Sequence, residues 1–197
     1  MKKLSFSILA LSFSAVLFTS CGGGVSEEVK KELAAFEAEW TKAGEGLAAF
    51  GKTIAAEDSA MQAMTPHMVP DSLKPNATPE QLHAVDSLQV VCDGHKVKTA
   101  EIKSTFDGFM AAWDKDGKDW ASWKEKVEKG EVKEEEVKTA MADWKKKCDA
   151  ANANVTEWQT ALEAVKSECG ATCAAQKDAV AAIPAEPVKE EKGKGKK

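Results

Sequence analysis

Three stretches of this chain carry apolar residues at alternating steps of four and three, and this spacing narrows the possible folds more than any other feature. The first stretch is Val29, Leu33, Phe36, Trp40, Ala43, Leu47, Phe50 and Ile54, continued by Met61 and Met64. The second is Leu82, Val85, Gln89, Cys92, His95, Thr99, Ile102, Phe106, Phe109 and Trp113, followed in the same phase by Trp120, Trp123 and Val127. The third is Val137, Met141, Trp144, Cys148, Ala151, Val155, Trp158, Leu162, Val165, Cys169 and Cys173. Such a period is the seam of a helix that packs on other helices in the manner of a coiled coil. No alternating β-branched run competes with it.

Punctuation residues place the helix ends. Ser26 is a natural N-cap, and Glu27 and Glu28 complement the helix dipole. Pro66, Pro70, Pro75 and Pro79 exclude a regular helix between the first two seams. Thr78-Pro79-Glu80-Gln81 has the form of a capping box that restarts it. The phase kept by Trp113, Trp120 and Val127 predicts a helix that continues through Asp114-Lys115-Asp116-Gly117; the alternative is a turn near Gly117–Asp119. Gly130 suits the left-handed position after a helix end, and Glu134, Glu135 and Glu136 suit the next first turn. The predicted helices cover about 26–64, 79–129 and 133–182, within a domain of residues 26–183. The third would be roughly 65–70 Å long at 1.5 Å per residue. The expected fold is all-α, an elongated antiparallel three-helix bundle with coiled-coil-like heptad packing. Residues 184–197, rich in Lys, Glu and Gly, read as a disordered tail.

The chain begins MKKLSFSILALSFSAVLFTSC, a positive pair followed by an apolar stretch too short to span a membrane, which reads as an export signal over residues 1–20. Phe18-Thr19-Ser20-Cys21, followed by Gly22-Gly23-Gly24, resembles the lipobox of bacterial lipoproteins, with Phe in place of the usual Leu at its first position. The resemblance covers about residues 1–25 and implies a Cys21 that carries fatty-acyl chains of the palmitate kind and becomes the mature N-terminus. Residues 21–25 then form a short tether. The Ser-Cys-Gly-Gly-Gly junction with Glu27-Glu28 is similar to lipoproteins of the Bacteroidota. Gly22 after the lipidated residue is similar to those sent to the outer membrane, on its periplasmic or cell-surface face. Two or three acyl chains hold a protein durably, where one holds it marginally.

Composition removes several function classes. All 27 basic residues are Lys and the net charge is −5, so a nucleic-acid partner read through Arg is not expected. No nucleophile motif, HExxH, phosphate loop or nucleotide fingerprint occurs, and three histidines offer little acid–base material near neutrality. Asp114, Asp116 and Asp119 lack the Gly spacing of an EF-hand loop. The six tryptophans fall largely on seams and read as core, with a groove lined by Trp113, Trp120 and Trp123 as the alternative.

The cysteines are the remaining chemistry. An exported chain with Cys92, Cys148, Cys169 and Cys173 is read as a disulfide protein. Folding back about residue 131.5 sets Cys92 against position 171, between Cys169 and Cys173, so a bridge to either is natural, while Cys148 is left apart. A turn near Gly117 would instead pair Cys92 with Cys148 and leave Cys169 with Cys173. The same register makes Cys92, His95, Cys169 and Cys173 a possible tetrahedral zinc set. The leading expectation is a non-enzymatic, lipid-anchored scaffold or interaction module of the cell envelope, without cofactor, acting through a protein partner or self-association. The alternative is a metal- or small-ligand-binding lipoprotein using the Cys/His cluster.

Overall fold

Each helix starts and stops where side chains satisfy its orphan backbone groups. In the computed structural model, which describes residues 25–185, these are α1 (Glu27–Ala63), α2 (Pro79–Glu128) and α3 (Glu134–Ala181), with a short 3-10 turn at Lys74–Asn76. The Ser26 hydroxyl accepts from the Val29 N–H at 3.4 Å. At α2 the capping box is closed on both sides: Thr78 Oγ1 accepts from the Gln81 N–H at 3.2 Å, and Gln81 Oε1 accepts from the Thr78 N–H at 2.9 Å. α2 ends in a Schellman motif. Gly130 takes φ 71°, its N–H donates to the Val127 carbonyl, and the Glu131 N–H reaches back to Lys126. α2 is unbroken through Gly117, so the alternative turn near Gly117–Asp119 does not form.

The three helices pack in an all-α bundle in which every pair is in contact. Ion pairs between helices show the directions. Glu39–Lys145 at 3.3 Å and Glu57–Lys166 at 2.8 Å set α1 parallel to α3, while Glu37–Lys124 at 2.6 Å and Lys98–Glu168 at 3.3 Å set α2 antiparallel to both. At a rise of 1.5 Å per residue, the 48 residues of α3 span about 72 Å.

The seams face inward. Leu47, Phe50, Ile54, Val85, Val137 and Leu162 are fully buried. The middle of the core is aromatic. Trp40 lies flat on Trp113 with centroids 4.1 Å apart and meets Trp144 edge-on at 5.6 Å; Trp120 packs beside both Trp40 and Trp144. A second group joins Phe50, Phe106, Phe109 and Trp158. The tryptophans therefore build the core, and Trp123 packs on its edge against Trp120. No described helix is long and apolar enough to cross a membrane.

Packing extends past the helix ends further than periodicity predicts. Val25, expected in the tether, is buried in the main core, and the Ser26 N–H donates to the Glu134 carboxylate at 2.9 Å. At the opposite end the proline-rich connection contributes Val69, which packs with Val85 and Ile183. Asn76 Nδ2 donates to the carbonyls of Pro184 and Ala185, which holds the first two residues of the expected tail on the bundle. The export signal, Cys21 and residues 186–197 lie outside the described residues.

Candidate functional site

The cysteines expected to carry chemistry are split between two places. Cys148 sits in the main core, fully enclosed. Cys169 is 21 residues further along the same helix, about 31 Å away. Cys92, Cys169 and Cys173 gather near the end where the proline-rich connection crosses. Together with Met61, Met64 and Gln176 they line one cleft. Among the described residues, the four cysteines are unbridged thiols.

Helix register makes this cluster. Along the α2/α3 interface the facing pairs are Asp116–Lys147, Lys98–Glu168, His95–Thr172 and Gln89–Gln176, whose numbers add to 263, 266, 267 and 265. Cys92 lies between the last two pairs and so faces Cys173 rather than the point midway to Cys169. Cys169, one turn earlier on α3, points toward α1, and its Sγ is 3.9 Å from Met64 Sδ. Cys92 and Cys169 are buried and Cys173 is half-buried, the most open of the three.

Above and below, polar side chains seal the cluster. Gln176, fully buried, accepts from the His67 N–H at 3.1 Å and donates to Gln89 Oε1 at 3.2 Å, tying the proline-rich connection to α3 and α3 to α2. Lys96 donates to the Met64 carbonyl at 3.2 Å and satisfies the end of α1. On the other side His95 is buried; its Nε2 pairs with Thr172 Oγ1 at 3.3 Å, and Thr99 Oγ1 donates to the His95 carbonyl at 3.0 Å. His95 Nδ1 is buried with no hydrogen-bond partner, and Glu168 Oε2 stands 3.8 Å from it.

This geometry separates the sequence candidates. His95 turns to Thr172 and Glu168 and does not line the cleft with Cys92, Cys169 and Cys173. Among the described residues, no three His, Cys, Asp or Glu side chains form a group that could hold a metal ion. His83 bonds Ser87 at 3.4 Å. Asp116 is paired with Lys147 in mid-helix, away from any calcium loop. The space inside the cleft is about 10 Å³, at the lower limit for a single water, so it holds no room for a bound small molecule. Gln176 continues the third seam one step beyond Cys173, where the sequence reading ended it. Its position three after Cys173 was the available signal.

Burial sets the thiol chemistry. Desolvation pushes Cys148 up to about 11 and Cys169 up to about 11, the latter also raised by Cys173, from an ordinary 9.0. Burial also raises Cys92, helped by the neighbouring Cys173. A rise of two pH units cuts the thiolate fraction at neutral pH roughly 100-fold. Cys148 and Cys169 in the native protein should therefore alkylate at least that much more slowly than in urea. Timed labelling and peptide mass spectrometry would measure this, and Cys148 reacting at its unfolded rate would place it outside the core.

Compared with known protein families, with curated proteins and with solved structures, the chain matches none. Its class rests on its own geometry: an all-α three-helix bundle with a cluster of buried thiols at one end.

Proposed function

We propose that this chain is an exported, lipid-anchored protein of a bacterial cell envelope that works as a non-enzymatic scaffold or interaction module. The observation that carries the reading is the closeness of the lipobox cysteine to the first helix. Cys21 precedes the first residue of α1, Glu27, by six positions, and Val25 is already packed in the core. A lipid on Cys21 would therefore hold the bundle by one end with very little slack. The long parallel run of α1 and α3 would carry the opposite end about 70 Å from the anchor. That far end holds the proline-rich connection, where Met64 and Met68 are exposed, and the thiol cluster. A stalk with a distinct tip is the form expected of a spacer that presents a contact surface away from a membrane. The outer membrane is the proposed site, through the Cys21-Gly22 junction. An oxidising compartment there favours a disulfide among the clustered thiols.

The test is Cys21→Ala in the native host. The wild-type protein should partition with membranes and carry a lipid-sized mass increment on its N-terminal peptide; the variant should lose the increment and appear in the soluble fraction. A variant that stays in the membrane fraction would end the lipoprotein reading.

A further inference from the structure

We infer that Cys173 is the entry thiol of a redox-closable staple and that its bridging partner is Cys92 across the helix interface, with Cys169 left as a thiol. Three observations lead there. First, Cys92 and Cys173 share one cleft and are bracketed by two direct contacts between α2 and α3, His95–Thr172 at 3.3 Å and Gln89–Gln176 at 3.2 Å, so the helices are already held at side-chain contact on both sides. Second, Cys169 and Cys173 are neighbours on one continuous helix. Residues four apart hold their Cβ atoms about 5–6 Å from each other, whereas a disulfide needs about 3.8 Å, so that bridge would have to pinch α3. Third, accessibility orders the steps. Cys173 is half-buried, Cys92 is buried, and Cys169 is buried against Met64.

The chemistry needs an oxidant of the low-molecular-weight disulfide class. The Cys173 thiolate attacks one sulfur of that disulfide. A mixed Cys173–S bond forms, the oxidant's S–S bond breaks, and one thiol leaves with a proton. The Cys92 thiolate then attacks Cys173 Sγ, the Cys92–Cys173 bond forms, and the second thiol leaves. Two electrons and two protons pass from the protein to the oxidant. The ring that closes runs from Cys92 through the Gly130 turn to Cys173 and locks α2 to α3 at the end where the chain itself provides no connection between them. The pairing rests on the geometry of the α2/α3 interface and the order of thiol accessibility. Its occurrence in cells rests on the exported address proposed above.

The experiment treats the full-length protein with oxidised glutathione, alkylates the remaining thiols and maps peptides by mass spectrometry without reduction. Wild type should lose two of its four alkylatable helical cysteines and yield one cross-linked pair, Cys92 with Cys173. Cys169→Ser should keep that pair. Cys173→Ser should form no bridge to Cys92 at more than about a tenth of the wild-type rate. Circular dichroism would show that both serine variants fold. A Cys169–Cys173 or Cys92–Cys169 bridge in wild type, or four thiols still alkylatable, would overturn the inference. Acid-quenched thiol trapping in cells is the separate arm. A bridge that forms with glutathione but is absent in cells would count against the exported address and leave the pairing standing.

Discussion

Replacing Trp40 with alanine should cost about 3–5 kcal/mol of folding stability. Trp40 is only 8% exposed and is the centre of the aromatic group. It stacks on Trp113 from α2 at an interplanar angle of 12°, meets Trp144 from α3 at 87°, and touches Phe36 within α1 at 6.3 Å. Removing the indole thus takes away transfer free energy and leaves a cavity bounded by all three helices. Large rings held in a stack cannot close that space without leaving their rotamers. Aromatic pairs add about 0.5–1.5 kcal/mol beyond burial, and several are lost at once. Urea unfolding followed by far-ultraviolet circular dichroism should show a lower midpoint with an unchanged slope. Trp123→Ala, at the core's edge, should cost much less. A loss below about 1 kcal/mol for Trp40→Ala would mean that the centre of the bundle is not packed as described.

The contrast between those two tryptophans also shows what the sequence pattern can and cannot carry. Seam phase distinguishes Trp40, Trp113 and Trp120 as core because a helix turns 3.6 residues at a time, and that geometry is local. The same locality explains why the antiparallel bundle and the long α2 were readable: Pro66, Pro70, Pro75 and Pro79 punctuate the chain between α1 and α2, and Gly130 does so between α2 and α3. What phase does not carry is the contact between a helix and a distant loop. Val25, Val69 and Ile183 are buried because the bundle's ends need covers, and nothing in their neighbouring residues says so. Gln89 was placed on its seam, but its pairing with the buried Gln176 is invisible to an apolar count for a related reason. A polar side chain becomes a core residue only when its hydrogen bonds are met, and the partner of Gln176 is the His67 backbone on another element. The thiol cluster falls between these cases. Folding about a single turn brought Cys92 to the right turn of α3, but a rigid fold-back gives one facing number where the actual pairs drift from 263 to 267. That drift is enough to replace a point midway between Cys169 and Cys173 with Cys173.

Stability also runs the other way in this chain, through its glycines. Changing Gly46, Gly94, Gly108, Gly117 and Gly170 together to alanine should raise stability by about 2.5–5 kcal/mol. All five lie inside helices, and a Cβ built at each meets nothing within 4 Å. Alanine there narrows the unfolded ensemble by about 0.5–1 kcal/mol per site and strains nothing in the folded one. A Cβ added at any of them touches no other residue, so their effects should add. For a domain of this size the melting temperature should rise by roughly 5–20 °C. Gly51 supplies the opposite sign within the same helix as Gly46. A Cβ at Gly51 would stand 2.9 Å from Phe106 Cζ and 3.0 Å from its Cε1. That ring is fixed edge-on between Phe50 and Trp158 and has nowhere to move. Gly51→Ala should therefore lose stability despite the same gain in helix propensity, because overpacking a closed aromatic core costs about 1–3 kcal/mol. Calorimetry on the two variants side by side decides it. If Gly51→Ala stabilises as much as Gly46→Ala, α1 and α2 do not approach as closely as this core requires.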